Sequence, residues 1–257
     1  MPKFAANLSM LYNELPFLDR FKAAADAGFQ GVEFLFPYEF DAAALAQLLK
    51  INGLTQVLFN MQPGNWAAGE RGIACLPDRR DEFRDGMPTV LRYARKLACR
   101  KIHCMAGLVP AGLNVAEAQA TFIDNIRFAA EALAGDGIEL LIEPINTQDM
   151  PGYFLNRTQQ ALDVIAEVGL PNVRLQYDCY HMHIMEGDLN ATIERNLKVI
   201  SHIQVADAPG RHEPGTGEID YPSVFRHLNK IGYEGWVGCE YRPKAGTIEG
   251  LSWMARV

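Results

Sequence analysis

Four oxygen-bearing side chains recur at similar places in successive apolar runs of this chain. They are Glu143 in "LLIEPIN", Asp178 in "LQYDCYH", Gln204 in "HIQVADA" and Glu240 in "VGCEY". A carboxylate inside an apolar run is costly to bury unless a partner offsets its charge. Two Glu, one Asp and one Gln make an oxygen-only set, which suits a hard divalent cation such as Mg2+ or Mn2+. Without a cation, three carboxylates brought together repel one another and hold protons to higher pH. Taken singly, each has a plainer reading as a surface or salt-bridge residue. The cation reading rests on their recurrence on neighbouring elements.

The same residue types suit proton transfer. One carboxylate can remove a proton α to a carbonyl, and a second can return one to the neighbouring carbon. The intermediate between the two steps is an enediolate, whose charge a Lewis acid stabilises.

The elements that must position these groups alternate along the chain. Strand-like runs fall at 4–9, 31–36, 54–62, 101–107, 139–146, 173–181, 200–208 and 234–241. Helical spacing follows each of them, at 15–28, 41–53, 81–99, 114–137, 157–169, 188–199, 221–232 and 247–257. Asp41 is placed to cap a helix start and Gly53 its end, and Pro88 is expected to break the helix over 81–99. Eight βα units in 257 residues predict an α/β fold, a single (β/α)8 TIM barrel over residues 1–257. An open doubly wound sheet would show a Gly-rich turn after its first strand, and "NLSMLYNELP" has none. In such barrels the chemistry lies at the C-terminal strand ends, where Glu143, Asp178, Gln204 and Glu240 fall. Alternation puts Gly238 under Glu240, which would leave room near the site.

Other motifs fall near the same strand ends. "HMH" puts His181 and His183 on one face of a strand, as a zinc pair would require, but a single HxH is a weak zinc signal. His181 alone could hydrogen-bond a substrate oxygen; its plain reading is a loop histidine satisfied by backbone. "PGRHEPGTGE" (209–218) follows the seventh strand, where barrels often bind phosphate; the plain reading of its GxG is turn glycines. Arg211 within it could hold a substrate carboxylate or hydroxyl, or be a solvated loop arginine. The extended loop 63–80 carries Trp66, Glu70 and Arg71, which could shield or contact substrate; for Trp66, packing under the loop serves equally.

Composition narrows the partners. A net charge of −7 argues against nucleic acid, and no apolar run is long enough for a membrane span. A small anionic hydroxy-oxo acid needs only a local positive site. Five scattered cysteines form no disulfide framework, so they read as reduced thiols of a cytoplasmic protein. The sequence leaves a homo-oligomer open.

"FAANLSMLY", "GVEFLFPYEFD", "NWAAGERGIAC", "LLIEPIN", "QYDCYHM", "PGTGEIDY" and "GWVGCEY" together resemble the hydroxypyruvate isomerase family of xylose-isomerase-like barrels, in particular its 2-oxo-tetronate isomerase branch. The resemblance spans nearly the whole chain. It implies interconversion of 2-oxo and 3-oxo four-carbon sugar acids, with hydroxypyruvate to tartronate semialdehyde as the sibling activity. It also implies that Glu143 and Glu240 are the acid/base pair, on opposite sides of the substrate. Related epimerases have a histidine where this chain has Gln204, a departure that favours Mg2+ or Mn2+ over softer ions. Remoter alternatives on this fold are a keto-sugar epimerase, an endonuclease IV-type nuclease and a non-catalytic sugar-acid-binding barrel.

Overall fold

Each strand hydrogen-bonds in parallel to the next, and the last returns to the first, closing a barrel in the order β1 to β8. The computed structural model describes residues 2–256. The strands are β1 (Lys3–Asn7), β2 (Gly31–Phe34), β3 (Thr55–Asn60), β4 (Lys101–His103), β5 (Glu139–Ile142), β6 (Val173–Asp178), β7 (Ile200–Val205) and β8 (Trp236–Cys239). Around them, among the described residues, lie α1 (Arg20–Asp26), α2 (Ala42–Ile51), α3 (Arg80–Asp85), α4 (Met87–Lys96), α5 (Val115–Ala134), α6 (Thr158–Val168), α7 (Cys179–Met185), α8 (Leu189–Asn196) and α9 (Tyr221–Lys230).

Local chemistry sets these boundaries. The Asp41 side chain accepts the Ala44 N–H at 2.9 Å and starts α2, and Gly53 takes φ +64° just past its end, both as expected. The helix expected over 81–99 is broken, but at Gly86; Pro88 lies in the first turn of α4, where its missing N–H costs nothing. The helix expected over 247–257 is a 3-10 segment, Glu249–Arg256, and Val257 lies outside the described residues. Trp253 from that segment stacks on Phe225, with ring centroids 5.5 Å apart.

Most strands end earlier than the alternation pattern suggested. The fifth stops at Ile142, just before Glu143 and Pro144, which has no N–H for a ladder. The sixth stops at Asp178, whose Oδ1 accepts the Tyr180 N–H at 2.7 Å and so caps α7. His181 and His183 are therefore helical and do not share a strand face. His181 turns into the barrel mouth, while His183 pairs with Glu218 at 2.8 Å on the outside. That removes the physical basis of the zinc-pair reading.

The core has two parts. A large apolar cluster fills the space between strands and helices. A small one, Ala5, Val57, Leu58 and Leu141, fills the barrel interior. Leu141 belongs to the interior cluster, so Glu143, two residues on, faces inward above it.

Candidate active site

Register levels the groups at the mouth. Asp178 pairs with Gln204, and Gln204 with Gly238, so Glu240 stands one layer higher. Glu143, Asp178, Gln204 and Glu240 are all buried. Six of the eight expected site residues line one cavity of about 640 Å³: Trp66, Arg71, Glu143, His181, Arg211 and Glu240. That volume is ordinary for a small-molecule site. Asp178 and Gln204 do not line it; they are buried against residues that do.

Arg211 reaches in from the loop after β7. Its Nη2 lies 2.9 Å from Glu240 Oε2 and 3.6 Å from Asp178 Oδ2. Arg211 is held there at φ +56°. The loop itself is organised by Asp207, which sequence reasoning missed. Its carboxylate accepts backbone N–H groups of Ala208, Gly215, Gly217 and Ile219 at 2.8–3.0 Å. The amides that a phosphate would use are thus taken by an internal carboxylate, and the turn-glycine reading of "GTG" stands in its place. A Cβ on Gly217 would sit 2.1 Å from the Ala208 carbonyl oxygen, which is why glycine is needed there.

Trp66 and Arg71 flank the opposite rim. The Arg71 guanidinium lies 3.9 Å from the Trp66 ring centroid and donates to the carbonyls of Trp66 and Glu70. Trp66 also packs against Phe36, with ring centroids 5.1 Å apart. Arg71 has no carboxylate partner among the described residues. Glu70 faces away from the cavity and forms a 2.6 Å ion pair with Arg79 inside loop 63–80.

His181 is oriented by a residue sequence reasoning passed over, Asn146. The Asn146 oxygen accepts the Asp149 N–H at 2.7 Å, so its amide nitrogen must donate to His181 Nδ1, also at 2.7 Å. The imidazole proton then sits on Nε2, which points at Asp178 Oδ2 (3.6 Å) and Glu143 Oε1 (3.9 Å).

Burial dominates the titration of these groups. It pushes Glu143 well above the usual carboxylate range, and the nearby charges of Glu240 and Asp178 push further. Glu240 is pushed up to about 8 by burial, with Arg211 opposing and Asp178 adding. Asp178 is raised by burial and restrained by Arg211. Burial lowers His181 well below its ordinary value and His103 to about 3.

The residues present fit a divalent cation. Glu143 Oε1 and Asp178 Oδ2 are buried acceptors without a hydrogen-bond partner. These two carboxylates and His181 place ligand atoms within 4.8 Å of one another. The His181 tautomer set by Asn146 makes its Nε2 a donor, so the donor set for a cation remains one of oxygens.

The chain is a closed parallel barrel with buried carboxylates converging at its C-terminal mouth. The chain belongs to the xylose isomerase-like TIM barrel family, whose model matches residues 21–257. It is 55% identical over 254 residues to a 2-oxo-tetronate isomerase of Cupriavidus necator, covering 99% of this chain and 98% of the relative. It is 51% identical over 254 residues to the hydroxypyruvate isomerase of Escherichia coli K12, covering 99% of this chain and 98% of the relative. Its fold matches a Brucella melitensis crystal structure, described as an AP endonuclease of family 2, with a TM-score of 0.97 at 53% identity over 100% of this chain and 99% of that one. No described helix is long and apolar enough to cross a membrane.

Proposed function

We propose that this chain is a metal-assisted isomerase interconverting the 2-oxo and 3-oxo forms of a four-carbon sugar acid. One observation carries the reading: two buried glutamates, Glu143 after β5 and Glu240 after β8, reach the same cavity from non-adjacent strands. The name of the Cupriavidus relative supports the substrate class.

Starting from the 2-oxo acid, one glutamate as carboxylate takes the proton from C3, giving an enediolate. The other, as acid, delivers a proton to C2. The hydroxyl proton passes from O3 to O2, and no outside oxidant or reductant is needed. Burial raises Glu143 and Glu240 above the usual carboxylate range in the cation-free protein, so each holds a proton more readily than an exposed carboxylate does. The Nε2–H of His181 is placed to donate to a substrate oxygen as charge develops there. Arg71, a cavity cation not committed to a carboxylate, anchors the substrate carboxylate, and Trp66 holds its guanidinium plane. Mg2+ or Mn2+ would be held by the free oxygens of Glu143 and Asp178, with Gln204 and Glu240 joining where their present hydrogen bonds give way, and would supply Lewis-acid stabilisation of that charge. Five free, buried thiols suit the reducing cytoplasm.

The second reading is a hydroxypyruvate isomerase, favoured by the Escherichia coli relative. An NMR isomerisation assay on hydroxypyruvate and both enantiomers of 2-oxo-tetronate, compared by kcat/KM, decides between them. Preference for a tetronate supports the proposal, and preference for hydroxypyruvate selects the second reading. Incision of abasic DNA, with no turnover or solvent deuterium uptake on any of the acids, overturns both.

A further inference from the structure

We propose that Glu33, a residue outside the cavity, is a positioning residue that aims the reactive Glu143 through the side-chain amides of Gln204 and Gln176. The inference rests on the isomerase reading of Glu143 and Glu240. Glu33 lies in the middle of β2, fully buried, and does not line the cavity. Three donors converge on its carboxylate: Asn7 Nδ2 at 3.1 Å and Gln204 Nε2 at 2.8 Å on Oε1, and His202 Nε2 at 2.7 Å on Oε2.

Two amide contacts lead from this carboxylate to the reactive pair, and the one through Gln204 depends on Glu33 for its orientation. On one side, register sets Asn7 opposite Glu33, and the same Asn7 nitrogen reaches Glu240 Oε1 at 3.4 Å. The Asn7 oxygen is occupied by the Ser9 N–H at 3.0 Å, so its amide cannot turn over without losing that bond. On the other side, donation to Glu33 turns the Gln204 oxygen towards Gln176. Gln176 Nε2 then donates to Gln204 Oε1 at 2.7 Å and to Glu143 Oε2 at 3.0 Å.

An amide's two ends are nearly equal in size, so only its hydrogen bonds choose between them. If the acceptor at position 33 is removed, the Gln204 nitrogen loses its partner, and only the Gln176 N–H on the Gln204 oxygen opposes its turning. A turned Gln204 presents N–H to the N–H of Gln176. Gln176 must then turn as well and set its oxygen against the oxygen of Glu143. The orientation error alternates along the chain of amides and ends as acceptor against acceptor at the reactive carboxylate.

Gly238 makes room for this arrangement. A Cβ there would lie 2.4 Å from both Glu33 carboxylate oxygens. The space expected beneath Glu240 is thus filled by Glu33 and is not open to substrate. The plainer role for Glu33 is a buried partner of His202 that stabilises the barrel and leaves the chemistry alone.

Glu33→Gln and Glu33→Met separate the two. The glutamine keeps an acceptor facing Asn7 and Gln204 and turns its nitrogen to His202, whose unpartnered Nδ1 can take the ring proton. Glu33→Gln should keep kcat within about threefold of wild type. Glu33→Met should lower kcat by about a hundredfold with KM little changed, the scale of a catalytic group displaced by about 1 Å. Solvent deuterium uptake at the substrate carbon should fall in parallel. Glu33→Asp keeps the carboxylate but is too short to reach all three donors. It serves if the methionine variant does not fold, and should lower kcat by about tenfold or more with KM kept. Equal losses in the Gln and Met variants would show that charge, not amide orientation, matters and would overturn the proposal. So would a folded Glu33→Met or Glu33→Asp protein with wild-type kcat. Glu143→Gln, run alongside, tests the reading of the site itself; its loss of turnover with none in Glu33→Met sinks this inference alone.

Discussion

Arg211 and Glu240 form a 2.9 Å ion pair in the wall of the cavity, and the same guanidinium lies 3.6 Å from Asp178. Its charge is committed to the protein's own carboxylates. Arg71, which donates only to backbone carbonyls, and Arg242, which lines the same cavity without a carboxylate partner among the described residues, are the cations left for a substrate carboxylate, and Arg71 is the one held in place by the Trp66 ring.

Arg71→Met should therefore raise KM for an acid substrate by about tenfold or more with kcat little changed, the loss expected for a charge-assisted pair. Arg211→Met should lower kcat itself, because it removes the group that opposes protonation of Glu240. Steady-state kinetics on both variants checks the division. A KM effect at Arg211 with none at Arg71 would reverse the assignment.

Glu143→Gln and Glu240→Gln should each lower kcat by about a hundredfold or more while the barrel stays folded. The same carboxylates set a pH dependence of stability in the cation-free protein. Glu240 titrates near 8 in the fold, against an ordinary value of 4.5. Between those values the fold retains a proton the unfolded chain has released, so stability is full below about 4.5 and declines as pH rises through 8. His103 acts with the opposite sign: lowered from 6.5 to about 3, it costs stability only as pH falls below 6.5. From pH 6.5 to 8 the downward slope is therefore the sign of the raised carboxylates, opposite to that of His103 and His181. Chelator-treated protein should lose Tm across that range, Mn2+ should restore the loss, and Glu240→Gln should flatten the slope. A flat profile in the chelated wild type would count against the burial argument.

The barrel was legible because alternating strand and helix periodicity is written locally, unit by unit. The mouth was legible because Glu143, Asp178, Gln204 and Glu240 each interrupt or end an apolar run. Glu33 carries the same signal in "GVEFLF", a carboxylate inside an apolar strand, and was passed over because it does not end its strand. Asp207 and Asn146 act by accepting or directing N–H groups from residues far along a loop or on another element. No spacing rule announces such contacts before the chain has folded. The end of the sixth strand was misplaced because Asp178 is both a site residue and a helix cap, and periodicity sees neither role.

Asp207→Ala should disorganise the loop that carries Arg211. It leaves the N–H groups of Ala208, Gly215, Gly217 and Ile219 short of an acceptor, at about 1 kcal/mol or more for the buried Ala208 and Ile219, where water cannot replace it. Tm should fall by several degrees, and activity should fall as it does in Arg211→Met. Inorganic phosphate should not bind the wild-type loop, since its amides are already used. Calorimetric phosphate binding that Asp207→Ala abolishes would contradict this.

The last relationship is between Asn146 and His181. Asn146 can only donate to His181 Nδ1, because its oxygen is held by the Asp149 N–H. That choice leaves the ring proton on Nε2, facing Glu143 and Asp178. Asn146→Asp is almost isosteric but replaces the donor by an acceptor. The imidazole must then carry its proton on Nδ1 and present a bare Nε2 to the cavity, or become doubly protonated. In either case the neutral Nε2–H donor to the substrate oxygen is lost as wild type presents it. The variant should fold, keep KM within a few fold and lose about a hundredfold in kcat, the scale of one removed oxyanion donor. Nitrogen-15 NMR of the ring should show the proton on Nε2 in wild type and a changed state in the variant. A wild-type ring protonated on Nδ1 would instead free Nε2 as a ligand, and His181 would then join Glu143 and Asp178 in holding a cation.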